Sequence, residues 1–472
     1  MQPPKPIENR KAMSKRRRQS RKRARAVQAG QPVLNHATHL DAAGIDIGST
    51  ELVAALPPDR DLQPVRTFSA FTSGVHALRD WLREHGIKTV AMESTGNYWI
   101  TTYDVLADAG FDVWLVNARA VKGVPGKKTD VCDAQWLQQL HAAGLLKKSH
   151  RPEKEIVPLR YLMRHRADLV AQAGQQVQLM QKVLTEMNLH IHHVFSDVDG
   201  VSAQAIITAI LAGERDPEKL ADLRDKRCRS RLEDILEALR GDFRPAYLFV
   251  LRQLQQRWQQ LQASMIECDA QIAEQLRAVQ IEAPGPLPKG PWQQRRTHKN
   301  MPVAVPIYEE AWRFFGVDLS IVPGLGGGLL GVLMSEVGTG PQLKTHFRSA
   351  EAFASWLALC PENRITGGRV LKAKTRKVSH RLADAFRLAA QSLSRSDDAM
   401  GQYCRRMKGR LGKAEGIVAV AHKLARIVYA MITTGQAYDE KEAFKVTASA
   451  KAKRLQNLQK QANAMGLQLV PA

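Results

Sequence analysis

Residues 127–137 read KKTDVCDAQWL, and within them Asp130 and Asp133 stand three apart. On a helix that spacing puts both carboxylates on one face. Alone, the pair has an ordinary explanation. Asp130 would cap a helix and Asp133 would complement the dipole of its first turn. Two more acids change the question. Asp46 stands between Ile45 and Ile47 in GIDIGST (44–50), and Glu93 ends the apolar run TVAM just before Ser94-Thr95-Gly96. A carboxylate on an apolar strand is costly to desolvate without a partner. Acids at two strand ends and on a neighbouring helix can converge on hard cations such as Mg²⁺, which take oxygen ligands and leave other positions to water and phosphate. Two such ions clamp the attacking and leaving oxygens of a phosphodiester.

The elements around these acids alternate. AGIDIGSTELVAALP (43–57) reads as two short strands about a Gly-Ser-Thr turn, and PVRTFSAF (64–71) as a third. VHALRDWLREHGI (75–87) has helical spacing, KTVAME (88–93) is a buried strand, NYWITTYDVLADAGF (97–111) a helix and DVWLVN (112–117) another strand. The strands bearing Asp46 and Glu93 are expected to be neighbours in a mixed sheet covered by helices. Beyond Pro152 two long apolar stripes follow. One passes through Leu159, Leu169, Met180 and Met187, the other through Leu251, Leu254, Trp258, Leu261, Met265, Cys268 and Ile272. The second has the three-four alternation of a coiled-coil seam. Pairing within one chain and pairing in a dimer fit it equally.

The chain has 472 residues, enough for two or three domains. It is 44% hydrophobic but only 6% aromatic, a soluble and largely helical composition. Lys plus Arg number 69 against 46 Asp plus Glu, a net charge of +23. Such an excess favours a polyanion, with nucleic acid ahead of an acidic membrane. The apolar run 416–432 is broken by His422, Lys423 and Arg426, so no membrane span is expected. The arm SKRRRQSRKRARA (14–26), with Arg16, Arg17 and Arg18, suits phosphate binding or simple solubilisation. Cysteines 132, 228, 268, 360 and 404 form no CxxC pair, pointing to a reducing compartment without structural zinc. His190, His192 and His193 lie together in NLHIHHVF, but without matched thiols or carboxylates they read as surface or packing residues. The Gly-rich IVPGLGGGLLGVLMSEVG (321–338) could bring backbone N–H groups to a phosphate.

GIDIGST (44–50), MESTGNYW (92–99) and KTDVCDAQWL (128–137), in this order, resemble the insertion-sequence 110 family of transposases. The resemblance continues through DVDGVSAQAIITAI (197–210), SIVPGLGGGLLGVLMSEVG (320–338), FRSAEAFASWLALCPENRITGG (347–368) and AHKLARIVYAMITTGQAY (421–438). It implies an α/β plus all-α protein, with a RuvC-like, ribonuclease H-like DEDD domain, long coiled-coil helices and a mostly helical C-terminal transposase domain. It also implies a prokaryotic, cytoplasmic and nucleoid-associated recombinase that cleaves and exchanges strands of donor and target DNA. A structured noncoding guide, the bridge RNA, would pair with both DNAs, and dimers would pair into tetramers. Asp46, Glu93, Asp130 and Asp133 match the family's four metal-binding acids, with Mg²⁺ the expected cation. The expected domain plan is a basic arm (1–40), the RuvC-like domain (41–150), a coiled-coil region (151–280), a Pro-rich linker (281–306), the transposase domain (307–440) and a basic tail (441–472).

At one position the sequence departs from that pattern. The family's nucleophilic serine is expected near a Ser-Gly-Gly motif, and here the residues are Thr366-Gly367-Gly368. A threonine hydroxyl is a competent nucleophile once activated, although its methyl crowds in-line attack. Thr366 as nucleophile, substitution by Ser349 or Ser355, and a catalytically weakened scaffold that binds RNA and DNA all remain open. The purely structural alternative for Thr366 is a hydroxyl that caps a Gly-Gly turn. Lys127, Lys128, Arg369, Lys372, Lys374, Arg376 and Lys377 are candidate nucleic-acid contacts. DIGST also resembles the first phosphate loop of actin-like and sugar-kinase ATPases, but the second Asp-Gly-Gly-type loop is missing.

Overall fold

The computed structural model describes residues 38–94, 96–117, 130–282, 284–290, 300–367, 369–376, 378–444 and 448–467. Arg16, Arg17, Arg18, Lys127, Lys128 and Lys377 lie outside them, as do the side chains of Asp130, Arg369 and Lys372. The chain divides into two compact units, residues 1–151 and 152–472.

In the first unit β1 (Ala42–Ile47), β2 (Glu51–Ala55) and β3 (Val65–Ser69) form an antiparallel meander. Helix α1 (Thr72–Glu84) leads to β4 (Thr89–Glu93), α2 (Trp99–Asp108) leads to β5 (Asp112–Val116), and α3 (Asp130–Ala142) follows. The sheet order is β3-β2-β1-β4-β5, with β4 parallel to both β1 and β5. Side chains alternate across a strand, so each strand serves two cores. Ile45, Leu52, Met92 and Leu115 meet Leu78 and Leu82 of α1 and Leu106 of α2 on one face. The intervening residues Ala91 and Val116 meet Leu137 and Leu140 of α3 on the other, where Val53 and Ala55 meet Ala134. Strands buried on both faces read as nearly unbroken apolar runs, which is why they were legible.

A polar contact ties down the far end of α3. Thr89 Oγ1 donates to the Asp112 carbonyl at 2.9 Å and so accepts from His141 Nε2–H at 2.8 Å. Burial first, then neighbouring His39, pushes His141 down to a pKa of about 4, so it packs as the neutral ring.

The second unit opens with α4 (Val157–Glu186), followed by α5 (Ile191–Val194), α6 (Val201–Ala212), α7 (Pro217–Asp222), α8 (Leu232–Ala238) and α9 (Pro245–Ala278). The two apolar stripes pair within the chain. Cys268 Sγ lies 3.6 Å from the Leu162 carbonyl, whereas Met180 and Leu184 share a core with Leu251 and Leu254, so α4 and α9 run antiparallel. A buried Arg166–Asp269 pair crosses this seam, with Arg166 NH1 also donating to the Asn300 carbonyl at 2.7 Å. The apolar pattern gave no hint of that pair. Next come α10 (Ile307–Phe315), α11 (Gly327–Val337), α12 (Gly340–His346), α13 (Ala350–Trp356), the hairpin strands β6 (Pro361–Thr366) and β7 (Arg369–Thr375), α14 (Arg381–Ser392), α15 (Ala399–Leu411), α16 (Lys413–Thr434), α17 (Glu440–Ala443) and α18 (Ala448–Ala464).

Helix α16 is long and apolar enough to cross a membrane, yet Val420, Leu424, Val428 and Met431 are buried in the unit's main core. Of the 321–338 glycines, Gly327 serves close packing, since an added Cβ would sit 2.2 Å from Met301 Cε. Cys228, Cys268, Cys360 and Cys404 are free thiols.

Candidate active site

The path of α3 over β1 decides where the acids lie. Ala142 accepts from Thr38 N–H at 2.6 Å, Gln138 Nε2 donates to the Ala42 carbonyl at 3.2 Å, and a Cβ on Gly44 would fall 2.4 Å from the Ala134 carbonyl. The helix therefore runs antiparallel to the strand, and its first turn, Asp130 to Asp133, approaches the Asp46 end. Only glycine permits the approach, because the same Cβ would lie 2.3 Å from Gln138 N.

Asp46 shares the face of Gly44, and Glu93 shares the face of Ala91, which packs against α3. The β1–β4 register pairs Ile45 with Met92, so Asp46 and Glu93 follow side by side at the ends of adjacent parallel strands. Ligand sites in open α/β sheets form outside such carboxyl ends. Asp46, Glu93 and Asp133 are each half-buried, open to solvent on one side and backed by the sheet. Among the described residues, a trio whose ligand atoms all fall within 4.8 Å of one another is a histidine group in the second unit. The acidic donor set consists of hard oxygens, the kind a divalent alkaline-earth cation takes.

Thr366 belongs to the second unit. It ends β6 and pairs with Arg369 of β7, with Gly367 after it at φ +55°. Paired strands about Gly-Gly are a hairpin signature, and RITGGRVLK carries it. Thr366 is exposed, as are Ile365, Leu371, Lys374 and Arg376, so the hydroxyl stands at the tip of a ribbon bared on both sides. At its base Arg376 donates to the Ser355 carbonyl. Ser349 caps α13, accepting from Ala352 N–H at 3.2 Å, and Ser355 is an exposed residue of that helix.

A family model for the DEDD domain of the IS110 group, described as Transposase, matches residues 43–189. A second, described as Transposase IS116/IS110/IS902 family, matches residues 318–405. The first span holds Asp46, Glu93, Asp130 and Asp133, and the second holds Thr366. No match was found among curated proteins. A five-stranded mixed sheet with acids at its strand ends, joined to a mostly helical region, is consistent with a ribonuclease H-like DEDD domain and defines a DNA transposase or recombinase. Such a domain suggests a divalent metal cation. The chain belongs to the insertion-sequence 110 family of transposases.

Proposed function

We propose that this transposase is an RNA-guided recombinase. It cleaves and exchanges strands of donor and target DNA through a transient covalent bond to Thr366, at a site charged with Mg²⁺. The observation that carries the reading is the placement of Asp46 and Glu93 at adjacent strand ends beneath the turn that begins with Asp130. These acids, with Asp133, would hold the cation, which when bound supplies charge neutralisation at the scissile phosphate. Thr366 Oγ1 attacks phosphorus, losing its proton to solvent or a site base, and the departing DNA oxygen takes up a proton. The phosphothreonine keeps the phosphodiester energy. A hydroxyl from the exchanged strand then attacks it, restoring the bond and the threonine, so no ATP is consumed.

The net charge of +23 supports a polyanionic guide as well as DNA. Lys374 and Arg376, exposed on and just after the hairpin, suit contacts to phosphate, as do the flanking cations Arg369, Lys372 and Lys377. Dimers pairing on the synapse and a cytoplasmic, nucleoid-associated setting complete the proposal. Ser349 is a weaker alternative nucleophile, because its hydroxyl is engaged as a helix cap.

The test combines the purified chain, RNA transcribed from the element's noncoding flank, both DNAs and Mg²⁺. A protein–DNA adduct is expected that disappears in Thr366→Ala and without the RNA. Asp130→Asn should abolish exchange while leaving RNA binding intact. An adduct that survives Thr366→Ala moves the nucleophile elsewhere, and no adduct in any mixture leaves a binding scaffold.

A further inference from the structure

A second constellation lies in the helical region, its three histidines just past residue 189, where the first matched span ends. Helix α4 ends at Glu186, and Asn188 turns the chain back in the left-handed conformation at φ +55°, which asparagine tolerates. The turn brings Asn188 Oδ1 within 3.0 Å of His190 Nε2. An amide oxygen only accepts, so Nε2 carries the hydrogen and Nδ1 keeps the lone pair. That Nδ1 is buried without a hydrogen-bond partner among the described residues, and so is Nδ1 of His192. His193 completes the group. The three residues each offer a nitrogen, and all three atoms lie within 4.8 Å of one another. The rings of His192 and His193 meet edge to face at 4.3 Å, and those of His190 and His193 stack at 5.1 Å.

The backbone beneath is well tied. His190 N–H donates to the Ala238 carbonyl at 3.0 Å, linking the loop to the end of α8, and Asp242 N–H donates to the Met187 carbonyl at 2.7 Å. Leu189 and Ile191 are fully buried on either side of His190. Packing alone is a poor reason for this arrangement. Buried ring nitrogens without partners are unfavourable. One cation taking a lone pair from each ring removes that penalty.

We propose that His190, His192 and His193 bind a first-row transition-metal ion of the Zn²⁺ type through three imidazole nitrogens, with the remaining position left to water. Imidazole donors suit zinc, copper and nickel rather than Mg²⁺, so this site and the acidic one select different ions. Three protein ligands with one open position is an established zinc arrangement. Asn188 is the outer partner that fixes the His190 tautomer. The bound ion would tie the end of α4 to α5 and, through His190, to α8.

The test uses the full chain without a polyhistidine tag, stripped with chelator and held in excess Mg²⁺ to occupy the acidic site. Titration with Zn²⁺, followed by calorimetry and metal analysis, should show one ion per chain, and Co²⁺ should give the visible bands of nitrogen ligation. His192→Ala and His193→Gln should each weaken binding by about 100-fold. His193 is exposed, so its variant should keep the fold, checked by circular dichroism. His76→Gln, on the exposed face of α1, should leave binding unchanged. Failure of the wild-type chain to bind Zn²⁺, or equal binding by the folded His193→Gln variant, overturns the site.

Discussion

Asp46 and Glu93 stand on strands whose opposite face is a closed apolar core, whereas Thr366 stands at the tip of a hairpin exposed on both faces. Under the proposed function the contrast gives the two regions different physical tasks. Carboxylates that share a cation must be held in place against their own repulsion, and a buried sheet with a helix seated on Gly44 does that. A hydroxyl that must reach a phosphate inside a nucleic-acid duplex needs access instead. An isolated two-stranded ribbon is marginal in water and free to adapt to what it binds. Mutations in the first region should therefore couple activity to stability, and those in the second should separate them.

The largest effect is expected from Asp46→Asn, which removes a charged donor while keeping the shape. DNA cleavage should fall by about 10³-fold with nucleic-acid binding retained. Activity within tenfold of wild type, measured under single turnover, would remove Asp46 from the cation site. A matched glycine pair comes next. Gly44→Ala drives a methyl into the α3 backbone and should cost about 3 kcal/mol in urea unfolding of the first unit, taking activity with it. The same change at Gly367 meets nothing within 4 Å and pays only for its positive φ, about 1 kcal/mol, read as faster hydrogen exchange in the hairpin. Equal costs at the two positions would erase the contrast.

Acid should act on the first region through His141. Its pKa of about 4 lies below the unfolded value of 6.5, so the folded state resists protonation. Stability is then full above pH 6.5 and declines as pH falls towards 4, by about 3 kcal/mol in total. Trp114, whose ring centroid lies 5.0 Å from that of His141, offers a fluorescence readout. A flat profile would mean the ring is protonated in place. The smallest effect belongs to Thr366→Ser. It should change stability by less than about 0.5 kcal/mol and leave adduct formation equal or faster, since the crowding methyl is gone.

Much of the first unit was legible because each strand there is a short apolar run closed by turn residues, which marks Asp46 and Glu93 as acids on apolar strands; that they share one face of the sheet depends on the register that pairs Ile45 with Met92. The hairpin around Thr366 is less legible despite its Gly-Gly turn, because its exposed strands have no buried face to impose a clean apolar alternation. Thr366 itself was reached by resemblance to Ser-Gly-Gly.

Linear order determined the charge excess, the strand that carries each acid and the helix spacing of Asp130 and Asp133, since these depend on composition and on repeats a few residues long. It could not tell whether the two apolar stripes pair within one chain. Nor could it reveal the Arg166–Asp269 bridge, or that Asn188 folds back to orient His190 beside its two neighbours. Those outcomes depend on which surfaces meet after the chain closes: the bridge joins residues about a hundred positions apart, the turn at Asn188 is held by backbone bonds to Ala238 and Asp242, and neither leaves a local periodicity to read.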